Sequence, residues 1–442
     1  MLETLVQLIK RVKFPLVIVI ISLIALFVGR TFLFAGGIPA AKINNVKKML
    51  TLSAQSAPVI PNKDLADTIN TFTGTGTLAS LPGSYGSGET FPGATYPFGM
   101  VQWSPDSMKP TSTGYNYHDN QIKGFSLTHL SGAGCSDYGD VPFMPYTSNA
   151  TAALTTDLTH YSSTFSHSDE TAHAGYYRVQ LGNGVTTELT ATQHSGVGRF
   201  TYPAGQTAGM LVKVSDSLHA VSRSQPTIYN AQAKLGSDTI SGWASSGDFC
   251  GTHKNVYRVY FWAQFSQPFA SFGTWHNGTM ALKQSEVAGT DSAAFVTFNT
   301  RQHPVISVRV GVSFVSVANA QANVNQENPR GDFDAAHQQS MMTWNRWLNK
   351  IQISGGTPDQ TSTFYSALYH ALLFPSVFSD TNGQYIGFDG HVHTVSTGHA
   401  QYANFSGWDV YRSQIQLLAL LAPDQASDVA QSLLNDYMQS GS

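Results

Sequence analysis

The chain has 442 residues, of which 42% are apolar and 12% charged, with a formal net charge of −3. The apolar share is enough for a large core and the length fits about two to four domains, while the charged share is roughly half the usual one. No basic patch stands out after residue 50, which excludes nucleic acid as an expected partner.

The N-terminus has the pattern of an export signal. A basic flank at residues 10–13 precedes the run "FPLVIVIISLIALFVG", 16 residues without a charge, and small residues follow it. This pattern predicts transport across a membrane with the positive flank left in the cytoplasm. We expect residues 1–41 to be a signal peptide or a signal anchor, and anchoring would use residues 14–34. The protein is therefore expected to be secreted, periplasmic or held at the cell surface.

Residues 42–66 form a polar connector, and residues 67–320 carry a β pattern. Short alternating or apolar runs are separated by Gly, Asn, Asp and Pro, as antiparallel sheets require. About eight to sixteen strands fit this span, which predicts a large antiparallel β-sandwich rather than one small barrel. The clearest runs are "YYRVQL", "TTELTATQHSGVGRFTY", "GMLVKVS", "VYRVYFWAQF", "AAFVTF" and "VISVRVGVSFVSV".

Near residue 321 the spacing of the apolar residues becomes helical. The run "FDAAHQQSMMTWNRWLNKI" predicts one helix, "GGTPD" breaks it, and "TSTFYSALYHALLFPSVF" predicts a second. Phe364, Leu368 and Leu372 share one face of that second helix, and Pro375 ends it.

Two further runs, "FSGWDVYRSQIQLLALLAP" and "DQASDVAQSLLNDYMQS", predict helices near the end of the sequence. Val429, Leu433 and Tyr437 are in register on the last of them. Helices with such wide apolar faces are too few here to cover one another. The sequence therefore predicts the first part of a larger helical domain.

The stretch "GFSLTHLSGAGCSDYGDVPFMP", residues 124–145, gathers chemically active side chains among glycines. His129, Cys135, Asp137 and Asp140 are candidate zinc ligands, although their spacing matches no common zinc pattern. Cys135 as a nucleophile, a loop lining a ligand site and a plain tight turn are the other interpretations. Cys250 is the second of the two cysteines, and one disulfide would suit an exported protein. Sequence alone does not show whether they pair.

A second stretch, "NFSGWDVYR", begins one of the predicted helices. Ser406 followed by Asp409 has the pattern of a capping box, which is a structural explanation. Trp408, Asp409 and Arg412 also offer what a sugar site needs. The indole ring stacks on apolar C–H faces, and the charged groups hydrogen-bond to hydroxyls. Both interpretations remain open from these residues alone.

Taken together, the motifs resemble the N-terminal part of glycoside hydrolase family 92, the exo-acting α-mannosidases. The resemblance implies an N-terminal β-sandwich, linking helices and a catalytic α/α toroid. It assigns residues 67–320 to the sandwich, 321–356 to the linker helices and 357–442 to the start of the toroid. The matching segments are "ETFPGATYPFGMVQWSPDS", "GFSLTHLSGAGCSDYGDVPFMP", "FSHSDETAHAGYYRVQL", "ELTATQHSGVGRFTYP", "GDFCG", "FYSALYHALLFPSVFSDTNGQY" and "YANFSGWDVYR".

The resemblance also implies a chemistry: calcium-dependent hydrolysis of terminal α-linked mannose, of the α-1,2 type found in N-glycans, with inversion. Inversion needs a general acid and a general base with carboxyl groups about 6.5–9.5 Å apart. No position of these 442 residues matches the acid or the base of the family. We assign no catalytic residue and no metal ligand, and expect most calcium ligands after residue 442. The chain alone is therefore expected to be inactive or nearly so.

Substrate binding is what the resemblance transfers to this chain. Trp408, Asp409 and Arg412 belong to the motif that contacts the terminal mannose in the family. The sandwich loop that approaches the site supplies three more expected substrate contacts, His129, Cys135 and Asp137.

The chain also departs from the family pattern at two places. Leu127 stands where many members carry His, and residues 77–87 resemble an insertion. Both departures would change the leaving-group side of the pocket. The alternative to an enzyme is a non-catalytic carbohydrate-binding protein at the cell surface.

Overall fold

The computed structural model describes residues 63–76, 88–109, 111–132, 134–147, 161–218, 228–247, 249 and 255–441. The predicted leader, nearly all of the connector and the predicted insertion at residues 77–87 lie outside these ranges. Within them, none of the helices has the length and apolar character that crossing a bilayer requires.

The β pattern of the first part of the chain gives 17 strands among the described residues. In chain order they are β1 (Ala94–Thr95), β2 (Gln102–Ser107), β3 (Gln121–Ser126), β4 (Phe143–Tyr146), β5 (Ser163–His173), β6 (Tyr176–Leu181), β7 (Thr186–Ala191), β8 (Ser195–Thr201), β9 (Ala208–Val212), β10 (Asn230–Leu235), β11 (Thr239–Ser246), β12 (Tyr257–Phe265), β13 (Ser271–His276), β14 (Thr279–Leu282), β15 (Glu286–Ala288), β16 (Ser292–Phe298) and β17 (Val305–Ser313).

These strands form two antiparallel sheets. The first has the order β14–β13–β16–β9–β4–β3–β2, with β1 beside β2. The second has the order β15–β10–β11–β12–β17–β8–β7–β6–β5. The start of β5 also pairs with β3, through Gln121 opposite Thr164. One strand is therefore hydrogen-bonded to both sheets.

The two sheets pack face to face around large aromatic side chains. Trp103 of β2 is fully buried, and its Nε1 donates a 3.0 Å hydrogen bond to the carbonyl of Phe125. The ring lies against Gly196 and Gly198 of β8, where an added Cβ would come within 2.8 Å of it. Glycine at these two positions lets the second sheet approach the indole ring. The predicted sandwich is confirmed.

Five helices of more than one turn follow the sandwich in the described part of the chain: α1 (Val317–Glu327), α2 (Phe333–Leu348), α3 (Pro358–Ala371), α4 (Ile415–Leu421) and α5 (Pro423–Ser440). The switch to helix comes just before the predicted residue 321, because β17 ends at Ser313 and Ser316 caps α1. Thr357 and Gln360 form a capping box at the start of α3, with Pro358 in the first turn. The residues of "GGTPD" thus separate the two helices, as predicted, and begin α3, whereas α2 has already ended at Leu348.

The connection from α3 to α4 contains four short strands in two pairs. They are β18 (Ser376–Val377), β19 (Gln384–Ile386), β20 (Val392–Thr394) and β21 (Tyr402–Ala403). β18 pairs with β21, and β19 pairs with β20 as a hairpin. A helical turn at Gly407–Asp409 and a π-helical segment at Val410–Gln414 then lead into α4.

The predicted apolar faces of α3 and α5 differ in how far they are buried. On α3, Leu368 is buried, and Leu372 directly after the helix is also buried. On α5, Val429 is buried, but Leu433 and Tyr437 are 47% and 65% exposed. The three residues do lie on α5 at helical spacing. Within the described part of the chain, only Val429 among them is buried in the core.

Candidate functional site

The end of the glycine-rich loop is held by Asp140, a buried carboxylate. Its oxygens accept hydrogen bonds from Thr128 at 2.9 Å, from Ser246 at 2.5 Å and from Tyr257 at 2.7 Å. Burial raises the pKa of Asp140 to about 6, although the three hydroxyl donors act in the opposite direction. Asp140 therefore connects the loop to β11 and β12.

His129 lies beneath the loop and is fully buried. Its Nε2 is 3.0 Å from Asp106 Oδ1, and its Nδ1 is 2.9 Å from the carbonyl oxygen of Gln102. Both ring nitrogens are thus engaged with protein groups. The geometry gives His129 a supporting role, and direct contact with a ligand would require its ring to become accessible. Leu127, the departure from the family pattern, is also fully buried.

The two reactive interpretations of this loop find no support in the structure. Cys135 is disulfide-bonded, and the only other cysteine of the sequence, Cys250, lies outside the described residues. A disulfide sulfur is not a thiolate nucleophile. Among the described residues, no three His, Cys, Asp or Glu side chains form a group that could hold a metal ion.

Asp137 instead organises the loop. Its Oδ1 accepts a hydrogen bond from the backbone N of Tyr138 at 3.0 Å, and its Oδ2 accepts one from Asn255 at 2.5 Å. Only 6% of Asp137 is exposed. The carboxylate therefore stabilises the backbone turn, and its predicted contact with a substrate stays a prediction.

Tyr138 brings the two predicted stretches together. Its hydroxyl donates a 3.0 Å hydrogen bond to Oδ1 of Asn404, and Nδ2 of Asn404 donates a 2.8 Å bond to Ser376 Oγ. The Tyr138 ring packs edge-on against Tyr257, with centroids 5.1 Å apart. Both Tyr138 and Asn404 have positive φ, at 65° and 63°. Neither residue was singled out from the sequence, although a buried tyrosine hydroxyl generally needs a partner.

Asn404 directly precedes the turn that carries the aromatic candidate. Trp408 is 76% exposed at this turn, and Arg412 is exposed one turn later. Asp409 is the last residue of the turn. The side chain of Ser406 accepts no capping hydrogen bond, so this half of the capping-box pattern is not formed. The short turn passes at once into the π-helical segment, a geometry frequent at functional sites.

A separate polar cleft of 640 Å³ lies between the β19–β20 hairpin and α5. Its walls carry two carboxylate–imidazole pairs, Asp389 with His393 at 3.0 Å and Asp428 with His399 at 2.7 Å. None of the six predicted site residues belongs to the lining that the described part of the chain gives this cleft. The cleft is therefore separate from the predicted site.

Comparison with known families gives matches over almost the whole described region. A sequence model of the glycosyl hydrolase family 92 N-terminal domain matches residues 68–313. A model of the glycosyl hydrolase family 92 catalytic domain matches residues 319–442.

Solved structures give the same likeness. An α-mannosidase of family GH92 from Bacteroides thetaiotaomicron is 29% identical, with a TM-score of 0.76 over 86% of this chain and 50% of that one. An inverting mannosidase of the same family and organism is 28% identical, with a TM-score of 0.75 over 87% of this chain and 50% of that one.

A curated relative described as an uncharacterized secreted glycosidase, from Arthroderma benhamiae, is 26% identical over 335 residues. The match covers 68% of this chain and 42% of that protein. This chain thus spans about half the length of the relatives that it matches.

Proposed function

Because the chain belongs to glycosyl hydrolase family 92, we propose that its protein is an exo-α-mannosidase acting on terminal α-linked mannose. The observation that carries the proposal is the match to both family domains, together with the likeness to solved α-mannosidases. One of these neighbours is described in complex with mannoimidazole. The proposed substrate is an α-mannoside glycan.

In this proposal the Trp408 turn forms part of the sugar-binding surface. The exposed indole of Trp408 offers a flat apolar face to the C–H groups of a pyranose ring. Arg412 donates hydrogen bonds to sugar hydroxyls, and Asp409 accepts them. The loop with His129, Cys135 and Asp137 acts through Tyr138, which fixes Asn404 next to this turn.

Inversion and export are each supported by a relative, whereas the linkage and the metal are not. Inversion is supported by the neighbour described as an inverting mannosidase, and export by the relative described as secreted. The α-1,2 linkage and N-glycan-like substrates rest on the family resemblance alone. Calcium dependence likewise rests on the family resemblance alone, and the described residues contain no group of three His, Cys, Asp or Glu side chains that could hold a metal ion. We therefore derive no step through calcium.

Activity assays test the two expectations separately: a protein extended to the full length of its relatives should hydrolyse an α-mannoside, and the 442-residue chain should not. Both proteins are incubated with an aryl α-mannoside, with calcium and with a chelator in its place. Clear turnover by the chain alone would contradict the expectation that the acid and base are missing. Product of inverted configuration from the longer protein would support the proposed mechanism.

A binding measurement separates the enzyme from the alternative, a non-catalytic carbohydrate-binding protein. Methyl α-mannoside is titrated into the chain, with methyl α-glucoside as the control ligand. Binding without turnover, in a protein extended to the full length of its relatives, would favour the alternative. Absence of binding to either sugar would contradict both functions.

A further inference from the structure

A buried charged pair connects the sandwich to the helical layer. Nδ1 of His194, in the turn between β7 and β8, is 2.6 Å from Oε1 of Glu327, the last residue of α1. Nε2 of the same ring is 3.0 Å from the carbonyl oxygen of Ser379, which follows β18. Only 7% of His194 is exposed. Three elements distant in sequence therefore meet at one imidazole ring.

The partners of the ring identify its protonation state. A backbone carbonyl such as that of Ser379 can only accept, so Nε2 of His194 carries a proton. Glu327 also accepts from the backbone N of His194, at 3.0 Å to Oε2. The remaining question is whether the proton between Nδ1 and Glu327 belongs to the ring or to the carboxyl group.

Two hydroxyl groups next to Glu327 indicate which group holds this proton. Thr192 Oγ1 and Ser195 Oγ lie 2.6 and 2.8 Å from Oε2 of Glu327. The side-chain amide of Asn328 donates to both hydroxyl oxygens, at 2.9 and 2.8 Å, so neither hydroxyl spends its proton on Asn328. Ser195 Oγ donates to Glu327, and Thr192 Oγ1 is closer to Glu327 than to the hydroxyl and carbonyl oxygens of Ser195, at 2.8 and 3.1 Å. A carboxylate that accepts several hydrogen bonds is stabilised in its ionised form. Nδ1 therefore carries the second proton, and His194 is an imidazolium.

Asp380 is the second carboxylate facing this ring, from the segment after β18. It is buried and accepts hydrogen bonds from Ser313, Asn319 and Asn323, each at 2.7 Å. These donors belong to the end of β17 and to α1, so Asp380 attaches its segment to both. The charges that face His194 are thus Glu327 from α1 and Asp380 from this segment.

The same segment leads directly to the proposed sugar-binding turn. Ser379 Oγ accepts a 3.0 Å hydrogen bond from the backbone N of Gln401, and Phe378 N donates to the Gln401 carbonyl at 2.7 Å. Gln401 begins the short path through β21 to Asn404 and Trp408. A displacement of Ser379 would therefore move the backbone that carries the turn.

We propose that His194 is a positioning residue: its imidazolium, paired with Glu327, fixes the segment Ser376–Asp380 and thereby the Asn404–Trp408 turn. The role in sugar binding rests on the proposed function, whereas the role in fixing the backbone does not. No contact between His194 and a substrate is implied.

The directions of the pKa shifts agree with the charged pair. Burial alone lowers the pKa of His194, but the charges of Glu327 and Asp380 and the hydrogen bonds raise it above its ordinary value. Burial alone raises the pKa of Glu327, but His194 and the other donors lower it below its ordinary value. Both groups are therefore charged at every pH between 4.5, the ordinary pKa of a glutamate, and 6.5, the ordinary pKa of a histidine. Because the two pKa values are shifted apart, the pH range in which both groups are charged is wider than this interval.

Hydrogen exchange with mass spectrometry tests the positioning role without any ligand. We compare wild type, His194→Gln, Glu327→Gln and the double variant, with His303→Gln, an exposed histidine, as the matched control. Each single variant should speed exchange in peptides covering residues 376–404 by at least ~10-fold at matched global stability, because one buried charge is left unpaired. The double variant should recover part of the loss. Unchanged exchange in the single variants would overturn the proposal.

A spectroscopic measurement keeps the proposal testable if a single variant fails to fold. In wild-type chain labelled with ¹⁵N-histidine, His194 should keep two protonated ring nitrogens to a higher pH than free histidine does, because its pKa is raised. The signal is assigned by its loss in the double variant. Loss of the second ring proton at the pH of free histidine or below it would contradict the proposal.

Mannoside binding tests the second part of the proposal, the link between His194 and the sugar-binding turn. Titration of methyl α-mannoside should give weaker binding to His194→Gln than to His303→Gln, by at least ~10-fold, about 1.4 kcal/mol. Altered exchange with unaltered affinity would restrict His194 to a structural role and overturn the link to binding. If wild type binds no mannoside, the proposed function fails while the exchange result still decides the positioning role.

Discussion

The hydroxyl of Tyr138 donates a 3.0 Å hydrogen bond to Oδ1 of Asn404, across 266 residues of sequence. One partner lies in the glycine-rich loop of the sandwich and the other directly precedes the Trp408 turn. The loop therefore contributes to the candidate site by fixing backbone, rather than by exposing its own His129 or Asp137.

Replacing Tyr138 with Phe tests this relationship. The variant removes one hydroxyl and leaves Oδ1 of Asn404 without its buried donor, so we expect unfolding to become easier by about 1–2 kcal/mol. Mannoside affinity should fall as well. Thermal unfolding and calorimetric titration measure the two effects. Tyr229→Phe, at a tyrosine 43% exposed, is the control and should change neither.

Replacing Trp408 with Ala should separate binding from stability. The side chain is 76% exposed, so its loss should change the free energy of unfolding by less than about 0.5 kcal/mol. The lost stacking surface should weaken methyl α-mannoside binding by roughly 10-fold or more. Tyr437→Ala, at another exposed aromatic residue on α5, is the control. Equal affinity of both variants would show that Trp408 is no sugar platform.

Asp140 should make stability depend on pH in a defined window. Its pKa is about 6 in the folded protein, above the ordinary value of 3.8. Between these values the folded state binds more protons than the unfolded state, so this contribution to stability falls as the pH rises. Asp140→Asn should remove that slope in urea titrations from pH 4 to 7, about the interval between the two pKa values. A slope that persists in the variant would assign it to other groups.

The truncation of Asp140 tests its structural role. Asp140→Ala leaves the hydroxyls of Thr128, Ser246 and Tyr257 without their shared acceptor. We expect a loss of at least ~2 kcal/mol in the free energy of unfolding. The loss should exceed that of Asp140→Asn, because an amide oxygen still accepts. Equal losses would contradict the importance of the acceptor.

Gly198→Ala tests the contact between the sheets. Its Cβ would come within 2.8 Å of the Trp103 ring and 2.9 Å of Phe200, so we expect a loss of about 1–3 kcal/mol. Gly407→Ala is the matched control, since a Cβ there meets nothing within 4 Å. Denaturant unfolding of the two variants compares the costs directly. Similar midpoints would show that the sheets adjust without strain.

The strands and helices were predictable because each has a local signal. β6 begins and ends at the ends of "YYRVQL", whose buried residues alternate with partly or fully exposed ones. The sandwich followed from the number of strand-like runs and from the family motifs, whereas the order of its strands did not, since periodicity does not determine how strands pair. Periodicity also does not show whether a face is covered, as the exposed Leu433 and Tyr437 demonstrate.

The candidate site was less predictable because its interactions are distant in sequence. Asp140 is 106 residues from Ser246 and 117 from Tyr257, and no pattern within the loop predicts these partners. His129 was chosen for its residue type, whereas the contacts of its ring with Asp106 and Gln102 of β2 have no signal in the loop. Trp408 lies on a helical turn, as predicted; its exposure was not predicted, and its contact with sugar stays a prediction.

The pairing of β5 with both β3 and β6 has a consequence for folding. A strand shared in this way makes the hydrogen-bond ladders of the two sheets continuous. Neither sheet can separate from β5 without disturbing the other, so we expect the sandwich to unfold cooperatively rather than sheet by sheet. The contacts of β5 with β3 must close a loop of more than 35 residues, which slows folding relative to a local hairpin. The sandwich is thus expected to unfold cooperatively and to fold slowly.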